Sequence, residues 1–185
     1  MASAEDRVEM VRLAFASSAA YPHRGPIEID LCEIQRASIN NGSLTYSFDT
    51  LKELGRGGTP LAFVLGSDQF RNLPNWHRFP EVLGLCNWLV LERKDPTQSV
   101  RNQGAWRETI AHWEASGLVR MHADGWKVQS GGGTFIQGFA TQAPALSSTQ
   151  IRECLARSGN PPTDSLHPDV RAYLMKRRLY GTGTS

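Results

Sequence analysis

Two short, continuous apolar runs constrain the fold more than any other feature of this chain. They occupy residues 61–65 (LAFVL) and 88–91 (WLVL), with a helix predicted around 79–85 between them. Apolar runs of this length without polar alternation are typical of parallel strands buried on both faces. Alternation of such strands with helices predicts a doubly wound α/β fold with a mostly parallel sheet.

The N-terminal half contains three further predicted elements. Ser3 and Asp6 form a capping-box-like start to a helix over 4–17. Alternating apolar and polar residues predict a strand over 27–31, and a loop is predicted over 37–43. A helix is predicted over 46–54, where Gly55 ends it.

The C-terminal half has the same mixed character. Trp106, Ile110 and Trp113 have the i, i+4, i+7 spacing of a core-facing helical stripe. Short strands are predicted over 119–121, 126–128 and 134–139, and helices over 148–157 and from Pro168 onwards. The three glycines at 131–133 are interpreted as a turn, because the Lys-Ser/Thr pair and the helix of a phosphate-binding loop are absent there.

Composition excludes several classes of protein. A net charge of +2 on 185 residues gives no argument for nucleic-acid or membrane binding, and no apolar run reaches membrane-spanning length. Cys32, Cys86 and Cys154 are widely spaced, which favours free thiols in a reducing compartment. The acidic N-terminus is unlike a signal peptide. We therefore expect a cytoplasmic, single-domain protein over residues 1–185, with a helical segment at 143–180.

The segment at 147–152 (SSTQIR) offers the strongest chemical signal. Hydroxyl residues there can cap a helix whose first N–H groups and dipole favour an anion. Arg152 falls in that first turn and adds a planar charged group suited to phosphate oxygens. From spacing alone, an ordinary capped helix with a surface arginine is the favoured explanation, and only the rest of the chain argues against it.

Further motifs occur in a fixed order around that segment. They are RVEM at 7–10, TYSFDTL at 45–51, FVLGSD at 63–68, LPNW at 73–76, LVLER at 89–93 and HPDVRAYL at 167–174. Together with the 147–152 segment, they resemble the bacterial nicotinate-nucleotide adenylyltransferases, a nucleotidyltransferase family with a Rossmann-like fold. The resemblance covers most of residues 5–93 and 143–180.

The resemblance implies adenylyl transfer from ATP, with Mg²⁺, to nicotinate mononucleotide. The residues that it places on ATP are Gly66, Asp68, Arg93, Ser147, Ser148, Thr149 and Arg152. Of these, Ser148, Thr149 and Arg152 are also implied to be catalytic. It places Tyr46 and Ser47 at the nicotinate carboxylate and Trp76 on the pyridine ring. Taken alone, Arg93 is equally a surface charge, whereas an Asp at the position of Asp68 is commonly a helix cap and a Trp at the position of Trp76 more often packs than contacts a ligand.

One family motif has no counterpart in this sequence. The five histidines include no pair three residues apart, so the H-x-G-H loop of the family is missing, and with it the first strand–loop–helix element. Three hypotheses therefore stay open: an active enzyme, a nucleotide-binding protein with impaired or no catalysis, and an adenylyltransferase for another acceptor such as phosphopantetheine. An unpaired strand edge also predicts self-association.

Overall fold

The computed structural model describes residues 2–16, 27–39, 44–93, 104, 106–141, 147–158, 160–161 and 165–181. Its backbone contacts group into two compact units. Unit 1 comprises Met1–Gln35 and Leu146–Ser185, and unit 2 comprises Arg36–Ala145. The single-domain prediction over residues 1–185 stays a prediction.

The described elements are seven α-helices and five strands. The helices are α1 (Ala4–Ala16), α2 (Cys32–Ile39), α3 (Ser47–Leu54), α4 (Ser67–Arg71), α5 (Trp106–Ala115), α6 (Ser148–Ser158) and α7 (Pro168–Arg177). The strands are β1 (Ala62–Gly66), β2 (Asn87–Arg93), β3 (Val119–His122), β4 (Gly125–Val128) and β5 (Phe135–Thr141). None of the helices within the described ranges is both long and apolar enough to cross a membrane.

The five strands form one mixed sheet in the order β1-β2-β5-β4-β3. The pairs β1–β2 and β2–β5 are parallel, whereas β5–β4 and β4–β3 are antiparallel. The α/β class and the parallel arrangement of the two apolar runs are therefore confirmed. The three strands predicted between 119 and 139 are confirmed as β3, β4 and β5.

One face of the sheet carries the aromatic core of unit 2. Trp88 and Ile136 are fully buried there, and the Trp88 indole N–H donates to the Leu83 carbonyl oxygen at 3.1 Å. Trp106 and Trp113 of α5 pack around Phe70, with ring centroids 5.6 and 5.1 Å from it. The prediction that the α5 aromatic stripe belongs to the core is thus confirmed.

The opposite face of β1 is open, which corrects one prediction. Leu65 is buried, but Val64 is 55% exposed, so β1 is not covered on both faces. The open face continues into the middle of the sheet, where Phe139 of β5 is 45% exposed on the same side. A continuous apolar run does not reveal whether a second layer covers the sheet.

Two other sequence predictions are wrong. Residues 27–31 form no strand; instead the Asp30 carboxylate accepts the Cys32 backbone N–H at 2.7 Å and α2 follows, extending into the predicted loop. Alternation alone does not make a strand without a pairing partner. The helix predicted at 79–85 is reduced to one 3₁₀ turn, Glu81–Gly84.

Unit 1 is built around α1, α6 and α7. Leu155, Val170 and Leu174 form its small core. The capping box at the start of α1 is confirmed, because the Asp6 N–H donates to Ser3 Oγ and the Ser3 N–H donates to Asp6 Oδ2, both at 3.1 Å. The Tyr173 hydroxyl then donates to Asp6 Oδ1 at 2.9 Å, which ties α7 to α1.

Candidate functional site

Two of the predicted nucleotide-binding residues lie at the same edge of the sheet. Gly66, the last residue of β1, is paired with Leu91 of β2, and Arg93 ends β2 opposite Thr141 of β5. In parallel sheets, ligands bind at the carboxyl ends of the strands. The register therefore brings Gly66 and Arg93 to the edge where such a site is expected.

The backbone at Gly66 leaves room for a ligand. Gly66 is extended (φ −74°, ψ 155°) at the N-cap of α4, and a Cβ built on it would contact nothing within 4 Å. Asp68 lies in the first turn of α4 and is exposed. An acidic residue in the first turn suits the helix dipole, and its exposure also leaves it accessible to a ligand.

The segments predicted to hold the acceptor substrate meet through a histidine. Tyr46, just before α3, is 39% exposed and stacks on His77 with ring centroids 4.1 Å apart. Phe48 lies edge-on to the same imidazole at 6.4 Å. Since His77 follows Trp76 directly, this stack joins the Tyr46–Ser47 helix start to the Trp76 segment.

Trp76 has a structural role in addition to its predicted one. It is half-buried, and its ring lies 6.0 Å from that of Phe63 and 6.2 Å from that of Trp88, both nearly perpendicular to it. Edge-to-face contacts of this kind fix the orientation of an indole. Trp76 is therefore held rigidly at the margin of the core with part of its surface exposed.

Sequence reasoning missed His77 and Arg78. The Arg78 guanidinium lies 4.4 Å from the Phe48 ring centroid, so two consecutive residues contact the aromatic residues at the start of α3. Only their position next to Trp76 could have drawn attention to them.

The 147–152 segment forms the first turn of α6 in unit 1 and is capped as the spacing predicts. Ser147 Oγ accepts the Gln150 N–H at 3.1 Å, and Gln150 Oε1 accepts the Ser147 N–H at 2.8 Å. This reciprocal pair is a complete capping box. Ser148 and Thr149 follow, and both are exposed.

Arg152 folds back along that turn. Its Nε donates to the Ser148 carbonyl oxygen at 3.0 Å, and a terminal nitrogen donates to Thr149 Oγ1 at 3.4 Å. The guanidinium is thus placed beside the Thr149 hydroxyl, at the start of the helix. A cation, a hydroxyl group and a helix N-terminus together provide the chemistry of phosphate recognition, and the exposed Ser148 is adjacent in sequence.

Four described titratable groups have shifted pKa values, and all lie outside these clusters: Glu5, Asp6, Cys86 and Tyr173. The Ser3 backbone amide and then the Tyr173 hydroxyl, by hydrogen bonding, hold the pKa of Asp6 below its ordinary value. Burial raises the pKa of the Cys86 thiol to about 12. The cysteines are all free, and the described residues contain no cluster of three metal-ligating side chains.

The chain is similar to known nucleotidyltransferases over most of its length. The cytidylyltransferase-like family model matches residues 1–154. A probable nicotinate-nucleotide adenylyltransferase of Cellvibrio japonicus is 33% identical over 183 residues, covering 97% of this chain and 76% of the relative. The relative of that name from Pelobacter propionicus is 32% identical over 177 residues, covering 94% and 73%.

Solved structures agree on the fold. The nicotinic acid mononucleotide adenylyltransferase of Plasmodium falciparum complexed with APC matches all of this chain and 79% of its own, with a TM-score of 0.59 and 15% identity. Its complex with NaAD matches with the same TM-score. The chain therefore belongs to the cytidylyltransferase-like family, among the relatives of the nicotinate-nucleotide adenylyltransferases.

Proposed function

We propose that this protein transfers the adenylyl group of ATP to nicotinate mononucleotide, giving deamido-NAD and pyrophosphate in NAD biosynthesis. The observation that carries the proposal is the 33% identity, over 97% of the chain, to a relative named for this activity. Free thiols at Cys32, Cys86 and Cys154 favour a cytoplasmic location.

The reaction needs positioning and charge stabilisation more than acid–base groups. A phosphate oxygen of nicotinate mononucleotide attacks the α-phosphorus of ATP, a new P–O bond forms, and the bond to the β-phosphate oxygen breaks. Pyrophosphate leaves with the electron pair. Because charge spreads over the phosphoryl oxygens, preorganised donors and cations supply most of the catalysis.

In this proposal, the first turn of α6 binds the ATP phosphates. Ser148 and Thr149 contribute hydroxyl donors, while Arg152 contributes a fixed positive charge that its bond to the Ser148 carbonyl holds in place. Ser147 supports the turn by capping it. Preorganised donors of this kind lose little free energy when charge develops on a phosphoryl oxygen.

The family pattern assigns other residues to the two nucleosides. The open backbone at Gly66 admits a close approach, and the exposed Asp68 carboxylate suits a ribose hydroxyl. Arg93, by the family pattern, is a second phosphate cation. Tyr46 and Ser47 are assigned to the nicotinate carboxylate and the rigid Trp76 ring to the pyridine.

Mg²⁺ belongs to this proposal as part of the MgATP substrate. The described residues have no cluster of three ligating side chains for a resident ion. Mg²⁺ commonly binds through substrate phosphates and few protein carboxylates, so this composition fits an ion that arrives with ATP. When bound, it neutralises charge on the leaving pyrophosphate.

A second hypothesis is nucleotide binding with impaired or no turnover. The observation that favours it is the lack of an H-x-G-H motif among the five histidines of this sequence. The two hypotheses share the phosphate-binding surface at Ser148, Thr149 and Arg152. They differ only in whether product forms.

The decisive experiment is turnover by the purified chain. The protein is incubated with ATP, Mg²⁺ and nicotinate mononucleotide, and deamido-NAD is quantified by chromatography, with nicotinamide mononucleotide and phosphopantetheine as competing acceptors. We expect product from the nicotinate substrate in preference to the others. ATP binding by a folded chain that forms no product would favour the second hypothesis. A preference for phosphopantetheine would show that nicotinate mononucleotide is not the acceptor substrate.

A matched pair of arginines on α6 tests the phosphate surface. Arg152→Ala removes the cation at the helix start and is expected to lower kcat/KM about 100-fold, as loss of a transition-state donor does. Arg157→Ala removes a 79% exposed arginine, paired with Glu153, near the end of the same helix. We expect it to change kcat/KM by no more than about twofold. Equal losses in both variants would contradict the assignment.

Ser147 allows capping to be separated from phosphate binding. Ser147→Asp keeps an acceptor for the Gln150 N–H and suits the helix dipole, so stability should be retained. Its negative charge beside Arg152 should nevertheless weaken ATP binding. A Ser147→Asp variant with unchanged affinity for ATP would show that the phosphates bind elsewhere.

A further inference from the structure

The β3–β4 hairpin of unit 2 borders a cleft that the proposed reaction does not use. The cleft has a volume of about 400 Å³, and its lining includes Arg120, His122, Lys127, Gly131 and Gly133. None of these residues belongs to the sets assigned above. Volumes of this order are typical of small-ligand sites.

Two cations face each other across the hairpin. Arg120 of β3 is the register partner of Lys127 of β4, so their Cβ atoms lie about 5 Å apart on one face. Directly opposed like charges destabilise a strand pair. Neither side chain forms an ion pair with any carboxylate in the described part of the chain. The hairpin thus carries an electrostatic cost that a bound anion would remove.

His122 adds a third nitrogen-bearing side chain to the same face. It lies two residues after Arg120 in β3, and side chains two apart along a strand share a face. Its ring packs edge-on against Phe135 with centroids 5.4 Å apart, which limits where the imidazole can turn. The three side chains together form a donor-rich wall.

The glycine turn that follows β4 lines the other side of the cleft without side chains that would fill it. Gly131 and Gly133 have positive φ angles of 119° and 80°, a conformation that other residues adopt with strain. A Cβ at Gly131 would also lie 2.9 Å from Gly84 Cα. Gly133 lies beside Lys127: a Cβ built on Gly133 would be 4.0 Å from Lys127 Cε. The absence of a side chain at Gly133 therefore leaves the lysine side chain uncrowded.

We propose that this cleft binds a pyrophosphate group, either as free pyrophosphate or as the diphosphate of a nucleotide. Arg120 presents a planar fork for one phosphoryl group, and Lys127 presents a compact charge for the other. His122 donates or accepts a hydrogen bond at the rim. The inference does not depend on the proposed adenylyl transfer, because it uses different residues and a binding measurement.

Glu114 and Asp124, two acidic side chains close to the hairpin in sequence or contact, form no ion pair with Arg120 or Lys127 in the described ranges. Glu114 uses Oε1 to accept the Met121 backbone N–H at 3.1 Å. Asp124 lines a neighbouring cleft together with His122 and is not among the residues that line the cleft of Arg120 and Lys127. The anion is therefore expected to contact mainly Arg120 and Lys127, with a salt dependence that follows from screening of exposed charges.

The test uses the imidazole proton signals of the full chain. The five histidines give few imidazole signals in a proton NMR spectrum. The His122 signal is assigned as the one that disappears in the His122→Gln variant. Inorganic pyrophosphate is titrated at fixed pH and ionic strength, and ADP, AMP and sulfate are titrated in parallel. We expect saturable movement of the His122 signal with pyrophosphate and ADP, and weaker binding of AMP and sulfate. Tighter binding of ADP than of pyrophosphate would identify a nucleotide as the source.

A matched pair of double variants completes the test. Arg120→Gln with Lys127→Gln should weaken pyrophosphate binding about tenfold or more at the His122 signal, since charge-assisted hydrogen bonds are lost. Lys52→Gln with Arg56→Gln removes the same charge from exposed positions elsewhere in unit 2 and should leave it unchanged. An unmoved His122 signal at saturating pyrophosphate in the folded protein, equal weakening in both double variants, or sulfate binding as tight as pyrophosphate binding would overturn the proposal.

Discussion

A single methyl group at Gly138 should disrupt the core of unit 2. Gly138 lies in β5 under the indole of Trp106, and its ideal Cβ would fall 2.3 Å from Trp106 Cζ2 and 2.7 Å from Cη2. Ordinary contacts of a Cβ begin at about 3.4 Å, so the ring would have to move by roughly 1 Å. The substitution Gly138→Ala is therefore a direct test of how β5 and α5 pack.

The ring has little freedom to make that movement. Trp106 is fully buried, and its ring is fixed edge-on by Phe70 at 5.6 Å and by Trp126 at 5.7 Å. Insertion of a methyl group into a packed core costs about 1–3 kcal/mol, and more when the neighbours cannot relax. With rings on two sides, we expect Gly138→Ala to lower the free energy of unfolding by about 3 kcal/mol.

Tryptophan fluorescence during urea unfolding measures this effect in the right place, because all five tryptophans lie in unit 2. Gly132→Ala is the matched control, since its Cβ would contact nothing within 4 Å and its φ is not positive. The control should change the free energy of unfolding by less than about 1 kcal/mol. Any change should be a small increase, because alanine lowers the conformational entropy of the unfolded chain. A Gly138→Ala midpoint equal to that of the control would refute the packing of Trp106 on β5.

Three further predictions concern other parts of the chain. At pH 8, a thiol reagent should label Cys32 and Cys154 but spare Cys86, whose pKa burial raises to about 12; labelling of native Cys86, measured by peptide mass, would contradict this. The pKa of Asp6 is lowered, so its stabilising effect is complete above its unfolded pKa and is lost as pH falls through the folded value; Asp6→Asn should flatten the acid limb of stability against pH. The uncharged edge strand β1 should promote self-association that Val64→Lys reduces, and a wild-type monomer at all concentrations in sedimentation velocity would exclude it.

Local sequence patterns were sufficient to predict features that depend on residues close together in the chain. The stripe of Trp106, Ile110 and Trp113 could be predicted as core because helical spacing places all three on one side. The capping boxes at Ser3 and Ser147 could be predicted because their partners lie three residues away. In each case, the residues that form the recognisable pattern lie within two helical turns of one another.

Other features depend on partners that are distant in sequence. The open face at Val64 and Phe139 depends on which elements pack on the sheet, and the local sequence does not reveal this. The contact between Tyr46 and His77 joins residues 31 apart in the numbering, and no local pattern marks it. The cationic pair Arg120–Lys127 likewise needs the β3–β4 register to become visible. Sequence patterns thus predicted the elements better than the surfaces that the elements form.

In the first turn of α6, the helix cap and the proposed phosphate-binding groups belong to different residues of one short segment. The box uses Ser147 Oγ and Gln150 Oε1, which leaves the hydroxyl groups of Ser148 and Thr149 on the exposed surface. Arg152 uses two of the five N–H donors of a guanidinium within the turn, so the others can reach an anion. Because the cap fixes the turn before any ligand arrives, a phosphate group would bind without the cost of ordering it. We therefore expect loss of the cap by Ser147→Ala to weaken ATP binding through disorder, whereas Ser147→Asp weakens it through charge.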